Sequence, residues 1–291
     1  MNAIIVGADG SRHSLRAVDW AAEEAVLRRS SLRVVHAVPP WLHDENVDPR
    51  LVSVREWLLA SGQEILGEAV ETARTRVSGL AVTGEIAPGG AARVLLERAR
   101  DASTAASMVV VGSHGVGTVA GLLLGSTALQ VVAHTPVTAV VVRHVDPVMR
   151  QEIAVGVDGP PAGESTLAFA FEEAALRGAR LRAVHVWSDP GTGLGGMTPL
   201  VYDPEQVAEE QTHRLNDVLA PWRDKYPEVQ VVTEVVHGRP VRILAGVSAR
   251  ADLLVVGTRG LGGFAGLMLG SVSHGLLHHA HCPLAVVPTP G

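Results

Sequence analysis

Ile4–Gly10 reads IIVGADG and Ile153–Gly159 reads IAVGVDG, a recurrence at an offset of 149 residues. Outward from these two stretches, the same offset relates VVHAV at 34–38 to AVHVW at 183–187, and ARVLL at 92–96 to VRILA at 241–245. One shortening by four residues then sets the offset to 145. At that offset VVVGSHG at 109–115 matches LVVGTRG at 254–260, and GST at 125–127 matches GSV at 270–272. Separated matches in one order, with a single net change of length, define a duplication rather than chance. The chain therefore reads as two domains, 1–145 and 152–291. They are joined by the polar stretch His144–Glu152 (HVDPVMRQE), whose Pro147 punctuates two strand-like runs.

Within each copy, short Val/Ile runs alternate with longer helical stretches. Strands are expected at 4–8, 32–38, 80–86, 108–112 and 139–143, with helices at 14–29, 50–78, 91–101 and 126–135. The second copy repeats the series, with strands at 153–157, 181–187, 230–236, 253–257 and 284–287 and helices at 164–177, 204–224, 240–249 and 271–280. That alternation predicts an α/β fold with an open parallel sheet in each copy, covered by helices on both faces. In such sheets ligands sit beyond the carboxyl ends of the strands, where the strand order reverses.

Composition agrees with buried parallel strands: 47% of the 291 residues are hydrophobic, 19% charged and 3% aromatic. No apolar run approaches the roughly 20 residues of a membrane-spanning helix. The opening residues MNAIIV run straight into a strand without a basic or longer apolar leader, so a cytoplasmic protein is expected. A single cysteine, Cys282, rules out an intrachain disulfide framework and reads as a core-packing residue. The net charge of −6 offers no basic face for nucleic acid. Lys225 is the only lysine, so a phosphate loop of the G-x-x-x-x-G-K-[ST] type is absent.

Chemistry concentrates at the fourth strand of each copy. Gly112-Ser-His-Gly115 is followed after nine residues by Gly125-Ser126, and Gly257-Thr-Arg-Gly260 by Gly270-Ser271. Glycines at a strand end allow close backbone approach to a ligand and positive φ. The serines fall where a helix begins, and a helix N-terminus binds anions without any lysine. An aspartate ends the first strand of both copies, Asp9 and Asp158.

These motifs resemble the universal stress protein family, and the pairing resembles its tandem-domain members. The resemblance rests on V-G-x-D-G at 6–10 and 155–159, on His36-Ala37 and His185-Val186 at the second strands, and on G-x-x-G-x₉-G-[ST] in both copies. It implies a Rossmann-like, adenine nucleotide alpha hydrolase-like fold with strand order 3-2-1-4-5. It also implies an ATP site in each copy, with Mg2+. One site would comprise Asp9, Gly10, Ala37, Gly112, His114, Gly115, Gly125, Ser126 and Thr127. The other would comprise Asp158, Gly159, Val186, Gly257, Arg259, Gly260, Gly270, Ser271 and Val272. The glycine motif would hold phosphates and ribose, and the aspartate and the residue after the histidine would lie beside adenine and ribose. After Asp158 the second copy reads Gly-Pro-Pro-Ala-Gly where the first has Gly-Ser-Arg-His-Ser, so its first loop is stiffer and weaker binding is expected there.

The resemblance further implies a stress-response or growth-regulatory module acting through nucleotide-dependent conformation and a protein partner. The last strands, AVVVR at 139–143 and LAVV at 284–287, would pair with each other, as the two domains of a dimer do in this family. Association of two chains into a homodimer is left open. An enzyme that slowly hydrolyses ATP or transfers phosphate is the alternative, and a vestigial site in an interaction protein is a third reading. Neither a G-x-S-x-G elbow nor a repeated nucleophile–base pair favours the enzyme, so no catalytic residue is assigned. His36 and His185 read as structural. His274 and His278, four apart on one helix, have the spacing of metal ligands, but Leu129 and Ala133 replace them in the first copy and no metal is expected. The segments Pro39–Pro49 and Ser188–Pro204 differ between copies, and the second reads either as a flap over its site or as a disordered loop.

Overall fold

The computed structural model describes residues 2–44, 48–115, 124–143, 148–158, 163–188, 204–260 and 269–289. The chain forms two compact units, Met1–Val145 and Asp146–Gly291.

In the first unit, β1 (Ala3–Gly7), α1 (Arg12–Leu27), β2 (Ser31–Val38), α2 (Val52–Arg76), β3 (Val82–Pro88), α3 (Ala91–Arg100), β4 (Ala106–Gly112), α4 (Ser126–His134) and β5 (Thr138–Val142) follow in order. The strands lie in the order β3-β2-β1-β4-β5, every neighbouring pair parallel. The second unit repeats this with β6 (Glu152–Gly156), α5 (Glu164–Arg177), β7 (Arg180–Trp187), α6 (Pro204–Lys225), β8 (Val231–His237), α7 (Pro240–Ser248), β9 (Leu253–Gly257), α8 (Ser271–His279) and β10 (Leu284–Val287). Its order is β8-β7-β6-β9-β10, again all parallel. Both units thus adopt the 3-2-1-4-5 arrangement, and the reversal falls between the first and fourth strands.

The central strands are near-continuous apolar runs because helices cover both faces. Ile4, Ile5 and Val6 of β1 and Val109 and Val110 of β4 are fully buried. Small residues let α1 lie close to the sheet: Ala17, Ala21, Ala22 and Ala25 are fully buried. A buried glutamate recurs in both units, Glu24 paired with Arg28 and Glu173 with Arg177, each one turn apart on its helix. Long apolar helices are absent among the described residues: none is long and apolar enough to cross a membrane.

Element boundaries lie within two residues of expectation. The long helix of the first unit starts at Val52, because Pro49–Leu51 forms a separate 3₁₀ turn. There Asp48 accepts from the Arg50 amide at 2.9 Å, and the proline presets the turn.

Candidate functional site

The carboxyl ends of β1, β2 and β4 open into a cleft of about 480 Å³ in the first unit. Its walls include Asp9, Ala37, Gly112, His114, Gly115, Gly125, Ser126 and Thr127. Stretches up to 118 residues apart in sequence therefore meet at one place, Asp9 on one side and Thr127 on the other. A cleft of about 510 Å³ in the second unit is lined by the counterparts Asp158, Val186, Gly257, Arg259, Gly260, Gly270, Ser271 and Val272. Of the expected site residues, Gly10 is placed elsewhere. It takes φ +80° and packs under α2, where an added Cβ would meet Ile65 Cγ1 at 3.1 Å. Gly159 and most of the expected flap, residues 189–203, lie outside the described residues.

Each aspartate-bearing loop is fixed by its own backbone and by short polar side chains. Ala8 N–H donates to Val35 O at 2.9 Å, and Val157 N–H to Val184 O at 2.9 Å, which continues the first strand beyond its glycine. The Asp9 carboxylate accepts from Ser11 N–H at 3.0 Å. Ser11 caps α1 by accepting from Ser14 N–H at 3.1 Å, and its hydroxyl reaches His114 O at 3.4 Å, tying the first loop to the glycine motif. At the second strand, His36 Nδ1 bonds Ala8 O at 2.8 Å and His185 Nδ1 bonds Val157 O at 2.8 Å. Both imidazoles thus hold the first-strand extension in place, the structural part expected of them.

The glycine motifs close in the same way in both units. Gly125 N–H donates to Ser113 O at 2.8 Å and Gly270 N–H to Thr258 O at 2.7 Å. Gly125 and Gly270 are the N-caps of α4 and α8, both extended, with no side-chain cap. Ser126 and Ser271 are therefore the first helical residues and not the caps, because the glycine before each already turns the chain. Both serines line their clefts at the first turn of a helix, whose N-terminal amides have no intrahelical acceptor and whose dipole favours an anion.

The expectation that motif glycines supply positive φ is corrected. None of Gly112, Gly115, Gly125, Gly257, Gly260 or Gly270 has it. At three of them, Gly112, Gly115 and Gly260, an added Cβ would come within 3.0 Å of another protein atom, backbone at Gly112 and the tip of an aspartate at the other two. An added Cβ at Gly115 would lie 2.4 Å from Asp9 Oδ2, and one at Gly260 would lie 2.1 Å from Asp158 Oδ2. At Gly112 it would lie 2.7 Å from the carbonyl carbon of His13 in α1.

Sequence reasoning missed part of the walls. Leu95 and Leu244 form an apolar floor under Gly7 and Gly156, where an added Cβ would meet a leucine methyl at 3.0 Å in either unit. Ala91 and Pro240, at the starts of α3 and α7, complete that side. The matching offset of 149 within ARVLL and VRILA held this signal.

The first cleft is flanked by a histidine pair. The rings of His13 and His114 lie 5.0 Å apart, and Ser113 Oγ holds His114 Nδ1 at 2.9 Å. Burial, then His114 and Arg16, push the His13 pKa down, while Asp9 opposes them. Along α8, the rings of His274 and His278 lie 5.3 Å apart. Among the described residues no three His, Cys, Asp or Glu side chains converge as a metal site. Cys282 is buried, and burial raises its thiol pKa to about 12, so it stays protonated.

Fold and clefts together define a tandem pair of Rossmann-like α/β domains, each with a glycine-lined cleft at its strand switch point. The chain belongs to the universal stress protein family, described as "Universal stress protein family", whose profile matches residues 1–143 and 149–288. A universal stress protein of Mycolicibacterium smegmatis is 36% identical over 296 residues, covering 98% of this chain and 96% of the relative. One of Mycobacterium tuberculosis is 36% identical over 290 residues, covering 97% of this chain and 95% of the relative. Among solved structures, a universal stress protein from Archaeoglobus fulgidus shares the fold across 99% of this chain and 98% of its own, at TM-score 0.70 and 18% identity.

Proposed function

We propose that this universal stress protein binds ATP in both clefts and acts as a stress-response or growth-regulatory module, with nucleotide occupancy setting the conformation a protein partner recognises. The observation that carries this reading is the convergence, twice over, of an aspartate, a glycine motif and a helix N-terminus on one cleft. Backbone amides and the helix dipole would take the phosphates. The aspartate carboxylate would accept from ribose hydroxyls, and the Leu95 or Leu244 side would bury apolar ligand surface.

Mg2+ fits as a companion of the triphosphate. It keeps several waters and needs only one or two carboxylates besides phosphate oxygens, and each cleft holds one. Asp9 and Asp158, which take the ribose in this reading, would meet it through water.

We further propose binding without efficient turnover, in a cytoplasmic protein whose two last strands pair with each other. In this reading His36 and His185, each donating Nδ1–H to a backbone carbonyl, hold the extension of the first strand and take no step in turnover.

The test is nucleotide content and binding stoichiometry of the full chain, with Gly115→Ala and Gly260→Ala made separately. One ATP per domain, each lost with its own substitution, is expected, with phosphate release close to background. A protein that neither carries nucleotide nor takes up Mg-ATP refutes the proposal, and rapid release abolished by a single side-chain substitution would favour the enzyme.

A further inference from the structure

The second cleft does not end at Asp158. Behind the aspartate lies a further compartment of about 400 Å³ under α6, and Val157, Asp158, Val186 and Ser188 line both spaces. Its other walls include His185, Trp187, Gln211 and Arg214.

The first unit shows why the compartment exists. At an offset of 149, Gln211, Arg214 and Trp187 correspond to Gly62, Ile65 and Val38. Gly62 is buried with its backbone against the second-strand histidine, where an added Cβ would lie 3.3 Å from His36 Cδ2 and 3.5 Å from Val38 Cγ1. Ile65 fills the space over Gly10. A glutamine cannot occupy the position of that glycine without holding its helix off the strand. The three larger residues in the second unit thus replace an apolar seat with a space bordered by an indole, an amide and a guanidinium.

Those groups have a common ligand chemistry. An indole and an imidazole offer flat apolar faces, and the imidazole is fixed by its 2.8 Å bond to Val157 O. Gln211 offers both a donor and an acceptor to a ring edge. Arg214 has a side chain 70% exposed, and its recorded carboxylate partner, Glu210, stands 3.9 Å away. It is therefore placed at the mouth, where it can meet phosphate. The volume is that of a small-molecule subsite.

We propose that the second cleft takes an adenine dinucleotide, one nucleoside in the glycine-lined space and the second base in the compartment of Trp187 and Gln211. This rests on the nucleotide reading given above, and the first cleft, closed at Gly62 and Ile65, takes a mononucleotide only.

The experiment is calorimetric titration of the full chain with ATP and with diadenosine polyphosphates from the diphosphate to the pentaphosphate. At least one dinucleotide is expected to bind the second cleft about tenfold more tightly than ATP, the gain of one added stacked base. Trp187→Ala and, separately, the solvent-exposed Arg214→Ala should each reduce that gain while leaving ATP binding as in the parent. Retained ATP binding also certifies that each variant is folded. If ATP binds the second cleft and no dinucleotide binds more tightly, or if the gain survives both substitutions, the extended site is refuted and the nucleotide reading stands. If neither ATP nor any dinucleotide binds, both fall together.

Discussion

Gly112 and Gly115 lie three residues apart in one motif, and alanine at each should fail for a different reason. Neither has positive φ, so backbone strain is not the cause. At Gly112 an added Cβ meets backbone: the carbonyl carbon of His13 at 2.7 Å, its oxygen at 2.8 Å and Ser14 N at 3.0 Å. Carbon atoms in contact prefer about 3.5–4.0 Å, so the first turn of α1 would have to retreat from β4 by about 1 Å. Overpacking of that kind costs about 1–3 kcal/mol. For a domain of this size that amounts to about 3 °C in melting temperature per kcal/mol. At Gly115 the obstacle is the tip of the Asp9 side chain, 2.4 Å away, which can rotate aside. Gly115→Ala should therefore melt within about 1 kcal/mol of the parent, a surface-like effect. It should nevertheless lose ATP at the first cleft, because the displaced carboxylate leaves its bond to Ser11 N–H.

Calorimetric melting and ATP titration of the two variants separate these outcomes. Gly257→Ala serves as an internal control. Its nearest atoms are Arg259 O and Thr166 Oγ1, both at 3.1 Å, so it should destabilise less than Gly112→Ala. A Gly112→Ala protein with an unchanged melting temperature, or a Gly115→Ala protein less stable than Gly112→Ala, would refute the contact argument.

Ser11→Ala removes the α1 cap and should cost about 1 kcal/mol, read by denaturant melting of the first domain, and it should also loosen the loop tied to His114 O. Glu152 is 1% exposed and binds both Arg180 and Arg182. Breaking a buried pair costs about 3–5 kcal/mol, and Glu152→Ala should fall at the low end because Arg180 is 48% exposed. A loss under about 1 kcal/mol in equilibrium unfolding would mean that the cluster behaves like a surface pair. The depressed His13 pKa gives a sign for pH dependence. The unfolded chain binds the proton more readily, so the contribution of His13 is complete above pH 6.5 and is lost as pH falls from there toward the folded value. His13→Gln should flatten that part of the stability profile, and an unchanged profile would contradict the assignment.

Much of the fold was legible because two signals reinforce each other. Buried parallel strands read as unbroken runs such as VVVG and LLVVG, and the duplication repeats each element at a fixed offset. The site was legible as a set of residues, since the glycine spacing and the first-strand aspartates converge on one cleft in each unit. Reasons for individual residues were less accessible. Whether a glycine is needed for φ or for contact depends on what lies opposite, and Asp9 is 106 positions from Gly115. That Ser126 follows the cap instead of forming it depends on one backbone angle at Gly125. The difference between Gly62 and Gln211 is visible in the sequence, yet its meaning appears only when α2 and α6 are seen against the second-strand histidines.

The two clefts share what backbone recognition demands and differ where side chains choose. The contacts of Gly115 and Gly260 with Asp9 and Asp158, the histidine–carbonyl bonds and the leucine floors recur with nearly the same distances, while Gly112 and Gly257 differ. Around them, His114 is matched by Arg259, Thr127 by Val272 and Ser14 by Gly163. A phosphate held by amides and a helix dipole tolerates such exchanges, because neither contribution depends on a side chain. The guanidinium of Arg259 adds a permanent charge that an imidazole does not. Phosphate binding at the second cleft should therefore weaken more steeply with salt than at the first, and Arg259→His should bring the two slopes together. Equal slopes in the parent protein would mean that Arg259 points its charge elsewhere, leaving the amides alone to hold the phosphates.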